Sequence, residues 1–224
     1  MRTIWTFGDS FTNGYGYIDD GTYVYENESH KKYIKYKKES DDVWPNLLSK
    51  ELNYSLKNLS KGGFSNDKIL DSIFENINQF EKDDIVIISR TFNSRFDVPD
   101  IKTSSYFKTI HGERLQLIKD NMKFMYDIDD KFEQETILNY GVLFMGNPLY
   151  KQRNDLRFKS FEKIIEKLVY RVIMWDVDSE FRKSFETISQ HTQNEMKDYH
   201  FSYNAHKQIF EYFYHKINGT KSLI

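Results

Sequence analysis

Gly8-Asp9-Ser10-Phe11 follows a short β-prone segment at one end of the chain, and Asp198-Tyr199-His200 lies near the other. A serine hydroxyl is a weak nucleophile until a base takes its proton. A serine on a sharp strand-to-helix turn, joined by a late histidine and a neighbouring aspartate, is the arrangement that acyl-transfer chemistry needs. Ser10 is therefore the candidate nucleophile, His200 the candidate base and Asp198 its carboxylate partner.

These residues must be positioned by the elements between them. Residues 2–7 alternate and are β-prone, stopping at Gly8. Ile85-Val86-Ile87-Ile88 is a continuous apolar run, as expected of a strand buried on both faces of a parallel sheet. Residues 54–59 and 171–175 read as two further strands. Helical spacing links Trp44, Leu47, Leu48 and Leu52, then Leu70, Ile73, Phe74 and Ile77. It recurs in Phe161, Ile164, Ile165 and Leu168, and in Ala205, Ile209, Tyr212 and Phe213. Strands alternating with helices predict an α/β fold, a three-layer α/β/α sandwich on a parallel four- or five-stranded sheet. Residues 137–150 decide the strand count. Val142–Met145 running into Gly146 and Pro148 fits a strand and its exit loop, although the same residues fit a buried helix. The strand is the reading taken, which gives five.

Composition narrows the function classes. A length of 224 residues suits a single domain, residues 1–224. The formal net charge of −2 offers no basic field for nucleic acid or an anionic membrane. The absence of cysteine excludes disulfides, thiolate metal sites and a cysteine nucleophile. No signal peptide and no apolar run long enough to span a membrane is visible. The expected location is cytoplasmic, or virion-associated if the chain is viral, an origin that its richness in Lys, Asn, Ile and Tyr would fit. His30, His111, His191 and His215 have no ligand-like spacing, so no metal and no cofactor is expected. Two polar excursions, residues 19–42 and 96–112, are candidates for shaping a substrate crevice beyond the strand ends. Surface loops are the plainer reading of both.

Four blocks in order resemble the SGNH, or GDSL, hydrolase family. Gly8–Thr12 looks like its first block, in which the serine is the nucleophile and its backbone N–H an oxyanion donor. Asn58–Asn66 resembles the second. Aligned on its asparagine, the oxyanion glycine falls on Gly63, with Gly62 one register away. Thr91-Phe92-Asn93-Ser94 resembles the third, usually Gly-x-Asn-Asp. Asn93 matches the asparagine whose side-chain amide is a third oxyanion donor, while the glycine and the final aspartate are missing. Asp198–His206 resembles the fourth, with Asp-x-His in place of the commoner Asp-x-x-His. His206 falls where a second, structural histidine often sits.

The resemblance implies a flavodoxin-like SGNH fold and a serine ester hydrolase using Ser10, His200 and Asp198, with the oxyanion held by Ser10, Gly63 and Asn93. Polar, tyrosine-rich excursions favour a short acyl ester, such as O-acetyl groups on a glycan, as the partner. A lipase or thioesterase of the same family, or a non-catalytic binding or virion-structural module on its scaffold, are the alternatives. Arg90, Arg95 and Asp97 lie beyond the third strand. They could contact substrate, Arg95 foremost, but a structural ion pair is the preferred reading.

Overall fold

The alternation of side chains along a strand decides the layers. In a computed structural model, which describes residues 2–13, 43–93, 95–99, 107–111, 131–145, 148–176 and 203–219, four strands form one parallel sheet. They are β1 (Thr3–Phe7), β2 (Ser55–Asn58), β3 (Ile85–Arg90) and β6 (Arg171–Asp176), in the order β2-β1-β3-β6. Ile4, Ile85, Ile87, Ile173 and Trp175 face one side. There they pack on Trp44 and Leu48 of α2 (Trp44–Leu52) and on Ala205, Ile209 and Phe213 of α6 (Tyr203–Asn218). Trp5, Phe7, Val86 and Ile88 face the other side. They pack on Ile69, Leu70 and Ile73 of α3 (Asn66–Asn76) and on Phe158 and Ile165 of α5 (Pro148–Ile165). The continuous apolar run of β3 is thus explained by helices on both faces. The result is an α/β/α sandwich whose order matches the first four strands of flavodoxin-like sheets.

Local chemistry sets the ends of these elements. Asn53 takes the left-handed conformation just after α2 (φ 55°), and the Tyr54 N–H reaches back to the Ser49 carbonyl at 3.0 Å, closing the helix. Asp84, fully buried, ties the opposite edge of the sheet. It accepts from the Thr3 N–H at 2.9 Å and from the Trp5 indole at 2.8 Å.

Three sequence expectations are corrected. Residues 137–145 and 148–150 are helical, not a strand: α4 spans Lys131–Met145 and α5 begins at Pro148. Lys, Gln, Glu and Leu upstream extend the apolar run to 15 helical residues, too long for a typical strand, and Ile137 and Gly141, one turn apart, are buried. The sheet therefore has four strands among the described residues, not five. Phe74 is 68% exposed, because the buried face of α3 runs through Asn66, Ile69, Leu70 and Ile73. On α5 the buried positions include Tyr150, Asn154, Phe158 and Ile165, while Ile164 points outward.

The excursion at 96–112 holds an element that its polar composition hides. β4 (Arg95–Pro99) and β5 (Phe107–His111) pair antiparallel, with Arg95 opposite His111 and Pro99 opposite Phe107. The excursion at 19–42 lies outside the described residues. Among the described residues no helix is long and apolar enough to cross a membrane.

Candidate active site

β1, β2 and β3 are adjacent and parallel, so the segments that leave their carboxyl ends meet on one edge of the sheet. Those segments carry Ser10, Gly63 and Asn93. The chain leaves β1 toward β2 on one side and leaves β3 toward β6 on the other, which makes the edge a topological switch point, the usual crevice of an open α/β sheet.

Gly8 makes the first corner possible. A Cβ at this position would stand 2.8 Å from the Ser89 Cβ of β3 and would collide with the Thr12 side chain. Only a glycine lets β1, β3 and the next turn close together here. Asp9 then starts a one-turn helix, α1 (Ser10–Asn13). Its Oδ1 accepts from the Phe11 N–H at 3.1 Å, and its carbonyl accepts from the Thr12 and Asn13 N–H groups. Asp9 thus caps the turn through Oδ1, while its second carboxylate oxygen points elsewhere. The Trp44 indole donates to the Phe11 carbonyl at 3.1 Å, so α2 braces the turn that carries Ser10.

The loop after β2 is tethered beside that corner. The Leu59 N–H donates to the Thr6 carbonyl at 2.9 Å and the Lys61 N–H to the Gly8 carbonyl at 3.1 Å. Lys61–Phe64 then forms a tight turn, closed by the Phe64 N–H on the Lys61 carbonyl at 3.2 Å. Gly63 occupies its third position with φ 80°. That is the left-handed value a type II turn requires there. Gly62 is not in that region, so the backbone demands glycine at 63. Ser65 caps α3 by accepting from the Lys68 N–H at 3.1 Å, and its hydroxyl donates to Asp97 at 2.6 Å.

Asn66 and Asn154 complete the site, and neither has a sequence signal for this role. Asn66, the first residue of α3, reaches across to the exit of β3. Its Oδ1 accepts from the Thr91 N–H at 2.9 Å and its Nδ2 donates to the Thr91 carbonyl at 3.1 Å. Nδ2 also approaches Asn93 Oδ1 at 3.5 Å, and Asn154 Nδ2 of α5 donates to the same oxygen at 3.3 Å. Two donors hold the carbonyl end of the Asn93 amide, so its NH2 end faces away from them. This is the orientation an oxyanion donor needs, and the network of donors assigns it.

Arg95, weighed between substrate contact and an ion pair, makes the ion pair. Its guanidinium turns inward, 7% exposed, onto the completely buried Asp9: Nη1 lies 2.8 Å from Asp9 Oδ2. Nη1 also meets Thr91 Oγ1 at 2.8 Å and the Phe64 carbonyl at 3.4 Å, and the Thr91 hydroxyl donates to Asp9 Oδ2 at 2.7 Å. Burial favours the ion-pair role, since Nη1 is already engaged by Asp9 and Thr91. Thr91 stands where the resembled block has glycine, and its hydroxyl is what joins this cluster. Arg90 is likewise engaged, by Asp155 of α5 and by Asp176 at the end of β6, the latter at 2.5 Å. Asp97 pairs with Lys68 at 3.8 Å, and burial lowers the Lys68 pKa.

His200 and Asp198 lie outside the described residues, as does Ser94. α6 begins three residues after His200, and His206 is buried on it, beside the core residue Ala205. Among the described residues no three His, Asp or Glu side chains gather in a group that could hold a metal ion.

No family model matches the chain, and no curated protein matches it. Solved structures do. One is a carbohydrate esterase whose active site is described as displaying divergent catalytic and non-catalytic binding functions. It is 14% identical, the alignment covers 98% of this chain and 69% of that one, and the TM-score is 0.47. Another, from Desulfitobacterium hafniense DCB-2, is described as a lipolytic protein of the G-D-S-L family. It is 12% identical, with 95% and 98% of the two chains covered and a TM-score of 0.37.

Proposed function

We propose that this chain is a serine ester hydrolase of the SGNH type. One observation carries the reading. The Ser10 corner, the glycine-demanding turn at Gly63 and the tethered Asn93 amide leave three adjacent parallel strands on the same edge. Each of these three segments brings one N–H group suited to a developing oxyanion, and the first also brings a nucleophile.

In the proposed reaction, Ser10 Oγ attacks the ester carbonyl carbon while His200 accepts its proton. Asp198 holds the imidazole in the productive tautomer and stabilises the imidazolium. The carbonyl oxygen becomes an oxyanion, received by the Ser10 and Gly63 N–H groups and the Asn93 side chain. His200 returns the proton to the leaving alcohol, and the acyl group stays on Ser10. Water, deprotonated by His200, then attacks the acyl-enzyme and releases the acid. The substrate proposed is a short acyl ester, O-acetyl groups on a carbohydrate foremost. This choice rests on the polar, aromatic character of the sequence at residues 19–42 and 96–112.

The test is acetate release from p-nitrophenyl acetate and from an acetylated oligosaccharide, with Ser10→Ala and His200→Ala run beside the wild type. Serine-dependent release from both is expected. Release from longer acyl esters alone would turn the assignment to a lipase or thioesterase. A folded wild type that neither releases acid nor reacts with a fluorophosphonate at Ser10 would defeat it in favour of a binding module.

A further inference from the structure

We infer that Arg95 is a positioning residue that locks the three oxyanion-bearing segments into one geometry. The inference rests on the esterase reading for its catalytic consequence, but not for its structural part.

A buried ion pair is a poor source of net stability. The desolvation of both charges offsets most of their attraction, so its presence calls for a different account. Contacts supply one here. The Arg95 guanidinium touches all three blocks: Asp9, whose other oxygen and carbonyl organise the Ser10 turn; the carbonyl of Phe64, next to Gly63; and the hydroxyl of Thr91, two residues before Asn93. The Phe92 ring lies under it, with Cζ 5.0 Å from the ring centroid, so the residue between Thr91 and Asn93 is held as well. The main chain adds to this, because the Arg95 N–H donates to the Phe92 carbonyl at 3.1 Å and closes the turn containing Asn93. Through one guanidinium nitrogen, Nη1, Arg95 thus bridges segments that belong to three different strand exits. Lysine has the charge but not the planar face that lies on the Phe92 ring.

A merely structural ion pair would support the fold as a whole. A positioning residue acts on the site more than on the fold, and the two can be separated. The variants are Arg95→Met, Arg95→Lys and the double variant Asp9→Asn/Arg95→Met, which removes both charges and avoids leaving one of them buried alone. Each is measured by amide hydrogen exchange, by the rate of fluorophosphonate labelling at Ser10, and by kcat and KM for p-nitrophenyl acetate.

Arg95→Met should speed exchange together in residues 8–13, 61–66 and 91–93, while residues 85–88 in the centre of β3 stay protected. It should lower kcat roughly 10²-fold, the scale of an ångström-size misplacement, with KM changed far less. Arg95→Lys should recover part of the rate. The double variant should recover stability without recovering kcat. Wild-type kcat in a folded double variant would overturn the proposal, as would unchanged exchange in the three segments. If the wild type itself neither turns over nor labels, the esterase reading fails instead, and the exchange data still decide whether Arg95 locks the segments.

Discussion

Replacing Asn66 with alanine tests how the third block is held. The Asn66 side chain and Thr91 are each 1% exposed, so water cannot replace what is lost. The substitution removes the acceptor of the Thr91 N–H and the donor to the Thr91 carbonyl, bonds of 2.9 and 3.1 Å. A buried polar group left unpaired costs about 1–3 kcal/mol, so the pair should cost about 2–6 kcal/mol. Domains of this kind have about 5–15 kcal/mol in all, so the variant should fold but with a much reduced margin. In urea, a loss near 3 kcal/mol lowers the unfolding midpoint by about 1–3 M at ordinary m-values. The assay is equilibrium urea unfolding followed by tryptophan fluorescence, with m compared between proteins. Asn66→Asp is the diagnostic partner. It keeps the acceptor but sets a carboxylate oxygen against the Thr91 carbonyl, so it should be no more stable than Asn66→Ala. A loss under about 1 kcal/mol for Asn66→Ala, below the cost of even one such unpaired group, or a wild-type midpoint for Asn66→Asp, would refute the reasoning.

Three further outcomes are expected. Asn93→Ala should lower kcat about 10²–10³-fold, the usual effect of losing one oxyanion donor, and should cost about 1–3 kcal/mol of stability because the buried Asn154 amide loses its acceptor; an unchanged kcat in an active wild-type background would remove Asn93 from the site. Gly63→Ala should cost roughly 1–2 kcal/mol because its φ of 80° is strained for any residue with a Cβ, and Gly62→Ala should cost less; the reverse order in thermal unfolding would move the demanding position to Gly62. Burial, aided by the Asp67 charge, raises the Tyr150 phenol above its ordinary 10.0. The folded state therefore holds this proton while the unfolded chain loses it. The contribution is complete below pH about 10 and is lost as pH rises toward the folded value. Tyr150→Phe should unfold with a shallower pH slope in that alkaline window, and parallel slopes for the two proteins would contradict the shift.

The residues that could do chemistry were legible at the chain ends because short blocks carry them, and the layers were legible because burial leaves a periodic trace. Ile85–Ile88 could be read as a doubly covered strand, and Ala205, Ile209 and Phe213 as one helix face, since all seven are buried where the period puts them. Phe74 and residues 137–150 were not legible. An apolar residue near a helix stripe costs little when exposed, and a four-residue apolar run has no period long enough to separate strand from helix. The β4–β5 hairpin is weakly signalled because both strands are short and Pro99 in the first argues against a strand. Only the tertiary structure showed which polar side chains hold the candidate site together. Asn66 binds Thr91 across 25 residues, Asn154 binds Asn93 across 61, and Arg95 binds Asp9 across 86. The sequence by itself determined the nature of the strands and the positions of the candidate nucleophile, glycine and amide. The folded sheet decided their common edge, and with it the partners of every buried charge and amide, because a hydrogen bond is fixed by distance and angle between groups that no local pattern brings together.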